Sequence, residues 1–150
     1  MSRFLYEKSI SYRGYLIVPF IFGRANSSFI FSYGLLAQSG FQGKFHRAKN
    51  PAKLYSSNLG SIISIAKQHL DDFYQGINCV DYFKARYVYQ KNLIVVHEEK
   101  GKCFYDHYPP HELRNIAAPK IFSTVSECIN WVKKGLDRQN YRKSFSVGNS

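Results

Sequence analysis

The amino-acid sequence predicts an α+β fold: a tandem pair of ββα units whose hairpins join in a mainly antiparallel sheet, with both helices packed on one face. Three observations predict it. A helical stripe occurs twice, each copy follows two runs rich in β-branched and aromatic residues, and Gly, Asn and Ser punctuate the joints. Asn58 to Asp71 overlays Thr124 to Asp137 without a gap, 66 residues later. Leu59 falls on Val125, Ile62 on Cys128, Ile63 on Ile129, Ala66 on Val132 and Leu70 on Leu136, while Lys67 and Asp71 match Lys133 and Asp137. Those apolar positions run i, i+3, i+4, i+7, i+11, one stripe of a 3.6-residue helix. Each copy opens on a capping side chain, Asn58 in one and Thr124 with Glu127 in the other.

Taken in order, residues 1 to 10 read as a polar lead-in. Tyr12 to Phe22 is aromatic and β-branched and predicts a strand, with Pro19 marking an edge or a bulge. Gly23 to Ser28 carries turn chemistry, and Phe29 to Leu36 predicts the partner strand of a hairpin. Ala37 to Leu54 has no periodicity and contains Gly40, Gly43 and Pro51, which predicts a long loop. Helix one runs from Asn58 to about Phe73; its terminal Asp71 and Asp72 oppose the macrodipole and call for a partner or a neighbouring cation. Tyr82 to Gln90 alternates in part, Asn92 to His97 is a clear strand, Glu98 to Lys102 a hairpin turn and Cys103 to Tyr108 the returning strand. Pro109 and Pro110 stop it, and helix two begins after Phe122. The expectation is one domain over residues 1–137, with units at about 11–73 and 84–137, followed by a basic flexible tail over 138–150.

With 150 residues and 45% apolar composition the chain can bury a core without staples. No apolar run reaches the roughly 18 to 20 residues of a membrane span; the longest, Tyr15 to Phe22, is cut by Pro19. The N-terminal residues lack a signal-peptide h-region. The expectation is a cytoplasmic protein with no membrane partner. Cys79, Cys103 and Cys128 are odd in number and not spaced CxxC, which points to reduced thiols.

Charge is the strongest global signal, 21 Lys and Arg against 10 Asp and Glu for a formal +11. Its distribution is sharper still, because the 63 residues from Lys8 to Leu70 contain no carboxylate. A field of one sign over half a small domain attracts polyanions or acidic protein surfaces. Within that window Lys44, Arg47, Lys49 and Lys53 interleave with Phe41, Phe45 and His46, the mixture that a phosphate-gripping, base-stacking surface needs. The candidate site is therefore Lys44, Phe45, His46, Arg47, Lys49 and Lys53. The expected function is a small, basic, non-enzymatic module that binds nucleic acid. The alternative is an accessory subunit that docks on an acidic protein surface with the same cations.

Enzymatic constellations are sparser. Glu98-Glu99-Lys100 at the end of an apolar strand, with Asp81 upstream, resembles the metal-binding core of the PD-(D/E)xK nuclease superfamily. That resemblance implies carboxylate ligation of Mg²⁺ by Asp81 and Glu98 and water orientation by Lys100. Asp81 lacks the preceding proline, and Glu98 to Gly101 reads as a turn. Asp106, His107 and His111 offer metal-ligand types without a fourth ligand, and the prolines between the histidines exclude a helical i, i+4 site. His46, His69 and His97 have no recognisable nucleophile beside them. Gly40 to Gly43 lacks the Lys-Ser/Thr of a phosphate loop. No cofactor, metal site or catalytic residue is expected.

Overall fold

The computed structural model describes residues 3–25, 27–37, 56–73 and 81–148. It is α+β, with two separate three-stranded antiparallel sheets and two helices. The first sheet has β1 (Ile10–Tyr12), β2 (Tyr15–Ala25) and β3 (Ser28–Leu36) in sequence order and is followed by α1 (Leu59–Phe73). The second has β4 (Arg86–Tyr89), β5 (Asn92–Glu99) and β6 (Lys102–Tyr108), followed by α2 (Val125–Gly148).

The expected single sheet of two ββα units does not form, because each half carries one more strand. The Tyr12 to Phe22 run is broken by a turn at Arg13 and Gly14, whose φ angles of 49° and 81° are both left-handed, as a type I′ hairpin turn requires. Gln90 and Lys91, at φ 48° and 65°, turn β4 into β5 in the same way, with no glycine to announce it. Three strands leave β2 and β5 in the centre of their sheets, hydrogen-bonded on both sides.

The burial pattern then fixes the layers. Leu16, Val18 and Leu36 of the first sheet meet Leu93, Val95 and Tyr108 of the second in one apolar cluster. The alternate residues Ile17, Tyr33 and Leu35 face away from that layer and pack on Ile62, Ala66 and Leu70 of α1. Ile94, Val96, Cys103 and Tyr105 likewise pack on Cys128, Val132 and Leu136 of α2. The order is helix, sheet, sheet, helix. The two helices lie on opposite outer faces, not on the same face of one sheet, because each sheet has a second apolar face that only the other sheet covers.

The stripes themselves pack inward in each copy, and both helices are capped, with Ser61 N donating to Asn58 Oδ1 at 2.9 Å and Glu127 N to Thr124 Oγ1 at 3.1 Å. Three residues before each helix the chain makes a two-way backbone bridge to the third strand of its sheet, Ser56 to Phe31 and Phe122 to Cys103. The α2 backbone continues past Asp137 to Gly148, through most of the segment expected as a tail.

Ties at the rim hold the sheets together. The supposed lead-in is a strap: Phe4 and Tyr6 are buried in the central layer. Leu5 N donates to Pro19 O of β2 at 2.8 Å, and Phe4 N to Pro110 O beyond β6 at 2.7 Å. Pro19 sits where β2 has run past β1, so its missing N–H costs no ladder bond. Arg86 on β4 reaches across to Ser11 Oγ at 2.9 Å and Ser9 O at 3.3 Å. Leu113 presses on Gly34, where a Cβ would lie 2.6 Å from Leu113 Cδ1.

Two predictions follow from the layering. Gly34→Ala forces Leu113 out of a filled site and should cost about 1 to 3 kcal/mol in urea unfolding. Ile62→Val and Val132→Ala act in different outer layers, so their costs should add to within about 0.5 kcal/mol in the double variant. Coupling well above that would place the two helices in contact.

Candidate functional site

Lys44, Phe45, His46, Arg47, Lys49 and Lys53, with Phe41 beside them, lie outside the described residues. The described residues that flank the segment meet at one strand. Leu36 pairs with Leu16, and Ser56 exchanges backbone hydrogen bonds of 2.7 and 3.2 Å with Phe31. The described residues on either side of it, Leu36 and Ser56, are thus both held at β3.

The described charges of that half divide into those used internally and those left over. Glu7 is paired with Arg3 at 2.7 Å. Asp71 Oδ1 accepts from Tyr12 Oη at 2.7 Å and Arg13 Nε at 2.6 Å, so the expected cationic neighbour exists. The Tyr12 hydrogen bond first, and then Arg13, hold the Asp71 carboxyl below the usual range. Lys67 Nζ sits 5.4 Å from the centre of the Tyr12 ring. The second half repeats the arrangement: Tyr89 Oη donates to Asp137 Oδ1 at 2.7 Å and Lys133 Nζ lies 5.1 Å from the Tyr89 ring. These contacts clamp each first hairpin to its helix.

Arg24 is different. Its guanidinium lies 4.7 Å from the Phe29 ring centre on the opposite strand, and among the described residues it has no carboxylate partner. Phe29 is 42% exposed.

On the second sheet, strand alternation separates the residues that sequence spacing had grouped. Asp106 and His107 are neighbours on β6 and so point to opposite faces. His107 Nε2 lies 2.9 Å from Asn92 Oδ1, whose amide nitrogen donates to Gln90 O, so the neutral ring is the donor. Asp106 instead accepts from His97 Nε2 at 2.9 Å and from Asn115 Nδ2 at 2.8 Å. The Tyr82 ring stacks on His97 at 4.1 Å, and burial, then Asp106, push its hydroxyl pKa upward. A groove of about 540 Å³ opens beside this network, lined by Asp81, Lys84, Glu98, Glu99 and Phe104.

The groove brings Asp81 and Glu98 to one place, as the nuclease resemblance requires. Lys100, however, occupies the β5–β6 hairpin turn at φ 53°. No three His, Cys, Asp or Glu side chains are grouped as metal ligands among the described residues. Among the described residues the His97 imidazole hydrogen-bonds Asp106 and no Ser or Cys side chain, so no nucleophile is paired with it there. Cys103 and Cys128 are buried free thiols, Cys128 pushed up to about 11 by burial and then Cys103, which leaves it unreactive. The sequence reading missed the His97–Asp106 pair; the register across the Lys100-Gly101 turn, which sets His97 opposite Phe104 and beside Asp106, was the available signal.

Searches of protein-family models, curated proteins and solved structures find no match to this chain.

The buried histidines set an acid limit. Burial holds both His107 and His69 below the ordinary imidazole pKa, so the unfolded chain binds protons that the folded chain refuses. Their contribution is complete above the unfolded value of about 6.5 and is lost as pH falls below it. The urea midpoint should fall between pH 7 and pH 5, and less steeply in His107→Gln. A midpoint independent of pH there would contradict the burial of these rings.

Proposed function

We propose that the protein is a non-enzymatic nucleic-acid-binding module that grips the phosphate backbone with its basic first half. One observation carries the reading: no carboxylate occurs from Lys8 to Leu70 in a chain of net charge +11. Of the acids that border the window, Glu7 is used by Arg3 and Asp71 by Tyr12 and Arg13, and Asp72 accepts from the Gln68 amide. Within the window itself no acid offsets Arg24, Lys44, Arg47, Lys49 or Lys53. In this reading Lys44, Arg47, Lys49 and Lys53 contact phosphates, and Phe45 and His46 stack on bases. Such contacts give affinity with little sequence information.

Replacing Lys44, Arg47, Lys49 and Lys53 together by Ser should weaken binding across sequences and leave the melting temperature unchanged. The slope of log affinity against log salt should flatten by about 0.7 to 0.9 for each phosphate contact removed. Fluorescence anisotropy over a salt series measures both. If the parent protein shows no salt-dependent binding to single strands or duplex at low ionic strength, the proposal fails. Docking on an acidic protein surface through the same cations then takes its place.

A further inference from the structure

We infer that the tip of the β2–β3 ribbon is a second contact with nucleic acid, one that selects single strands by stacking an unpaired base against Arg24 and Phe29. This rests on the nucleic-acid reading above and adds the residues and the form of nucleic acid. The ribbon exists because β1 pairs with β2 only as far as Ile17, whereas β2 and β3 pair on to Ala25 and Ser28. Beyond the strap's bridge at Phe20, two strands continue, and among the described residues no third strand lies beside β2. The register shifts between Ile21 and Gly23, a bulge that adds twist and re-aims the side chains beyond it.

What the tip presents is neither core nor ordinary surface. Phe22 is 60% exposed and Phe29 42% exposed, so the rings reach solvent past the last covering layer. Arg24 lies directly opposite Phe29 in the register, its guanidinium 4.7 Å from the ring centre, and has no ion pair among the described residues. Phe31, 6.5 Å from Phe29 between centres and half-buried, anchors that ring to the α1 layer. A guanidinium held over a ring keeps its outer face for a base and its N–H edge for a phosphate. The charge matches the ligand, since the tip lies inside the carboxylate-free window. Single strands are favoured because only an unpaired base exposes a face to stack, and phenylalanine has no group with which to read a base edge in a duplex groove.

The test compares the parent protein, Phe29→Ala and Arg24→Gln for binding labelled oligo-dT, oligo-rU and a duplex of equal length. Phe29→Ala should weaken the single strands on the order of 10- to 100-fold and leave the duplex unaffected. Arg24→Gln should flatten the single-strand salt slope by about 0.7. Loss on only one of oligo-dT and oligo-rU supports the contact and names its nucleic acid. If Phe29→Ala lowers the melting temperature, Phe29→Leu, which keeps an apolar side chain without a ring, takes its place. Equal losses on single strands and duplex, or unchanged binding by the variants of a protein that does bind, would overturn this inference and leave the nucleic-acid reading standing. A parent protein that binds none of the three would end both.

Discussion

Two strands without an exposed face, β2 over Leu16 to Val18 and β5 over Leu93 to Val96, dictate the rest of the architecture. Every buried side chain of that size is worth about 1.5 to 3 kcal/mol, so neither face of either sheet can be left to water. Each sheet can hold one helix on its outer face, because one helix is all that its half supplies. The inner faces have only each other. Apolar residues on both faces also remove the alternation that ordinarily sets strand register, since a slip by one residue exchanges apolar for apolar. Register here falls to the tight turns, and Arg13-Gly14, Gln90-Lys91 and Lys100-Gly101 each have left-handed residues at both central positions.

The polar groups work at the margins of this layering. Arg86 spends its donors on Ser9, Ser11 and Phe83 O, locking the rim of one sheet to the other without a carboxylate. The Tyr12–Asp71 and Tyr89–Asp137 bonds fasten the first hairpin of each sheet to its outer helix, with a lysine against the tyrosine ring in both. Of the acids that border the carboxylate-free run, Glu7 pairs with Arg3 and Asp71 with Arg13, while Asp72 accepts from the neutral Gln68 amide. Positive charge is spread over both halves, and what sets the first apart is the run from Lys8 to Leu70 without a carboxylate, which is the physical basis for expecting a polyanion there.

Much of the fold was legible in the sequence. The helical stripes Leu59 to Leu70 and Val125 to Leu136 are long, periodic and capped, and they form where they were read. The hairpin β5–β6 was equally plain. β1 was missed and β4 showed only as partial alternation over Tyr82 to Gln90, because strands of 3 and 4 residues are too short to show a period and Arg13-Gly14 and Gln90-Lys91 are weak turn signals. The sheet-on-sheet packing had a trace in Leu16-Ile17-Val18 and Leu93-Ile94-Val95-Val96, unbroken apolar runs that a sheet wet on one face would not carry. Helix two extends beyond Asp137 because no Gly or Pro interrupts residues 138 to 147. For the candidate site, charge was legible and geometry was not. Arg24 and Phe29 meet only through the pairing register, which composition cannot supply, and His97 meets Asp106 in the same way.

The central claim is that the basic half, and not the rest of the surface, takes up a nucleic acid. It is tested most directly by following backbone amide resonances of the intact protein during titration with a short single-stranded oligonucleotide. The account requires the largest changes at Arg24, Phe29 and residues 43 to 53, with the outer face of α2 and the groove beside His97 unmoved. Changes concentrated on α2 or around His97 and Glu98, with the first sheet silent, would contradict it.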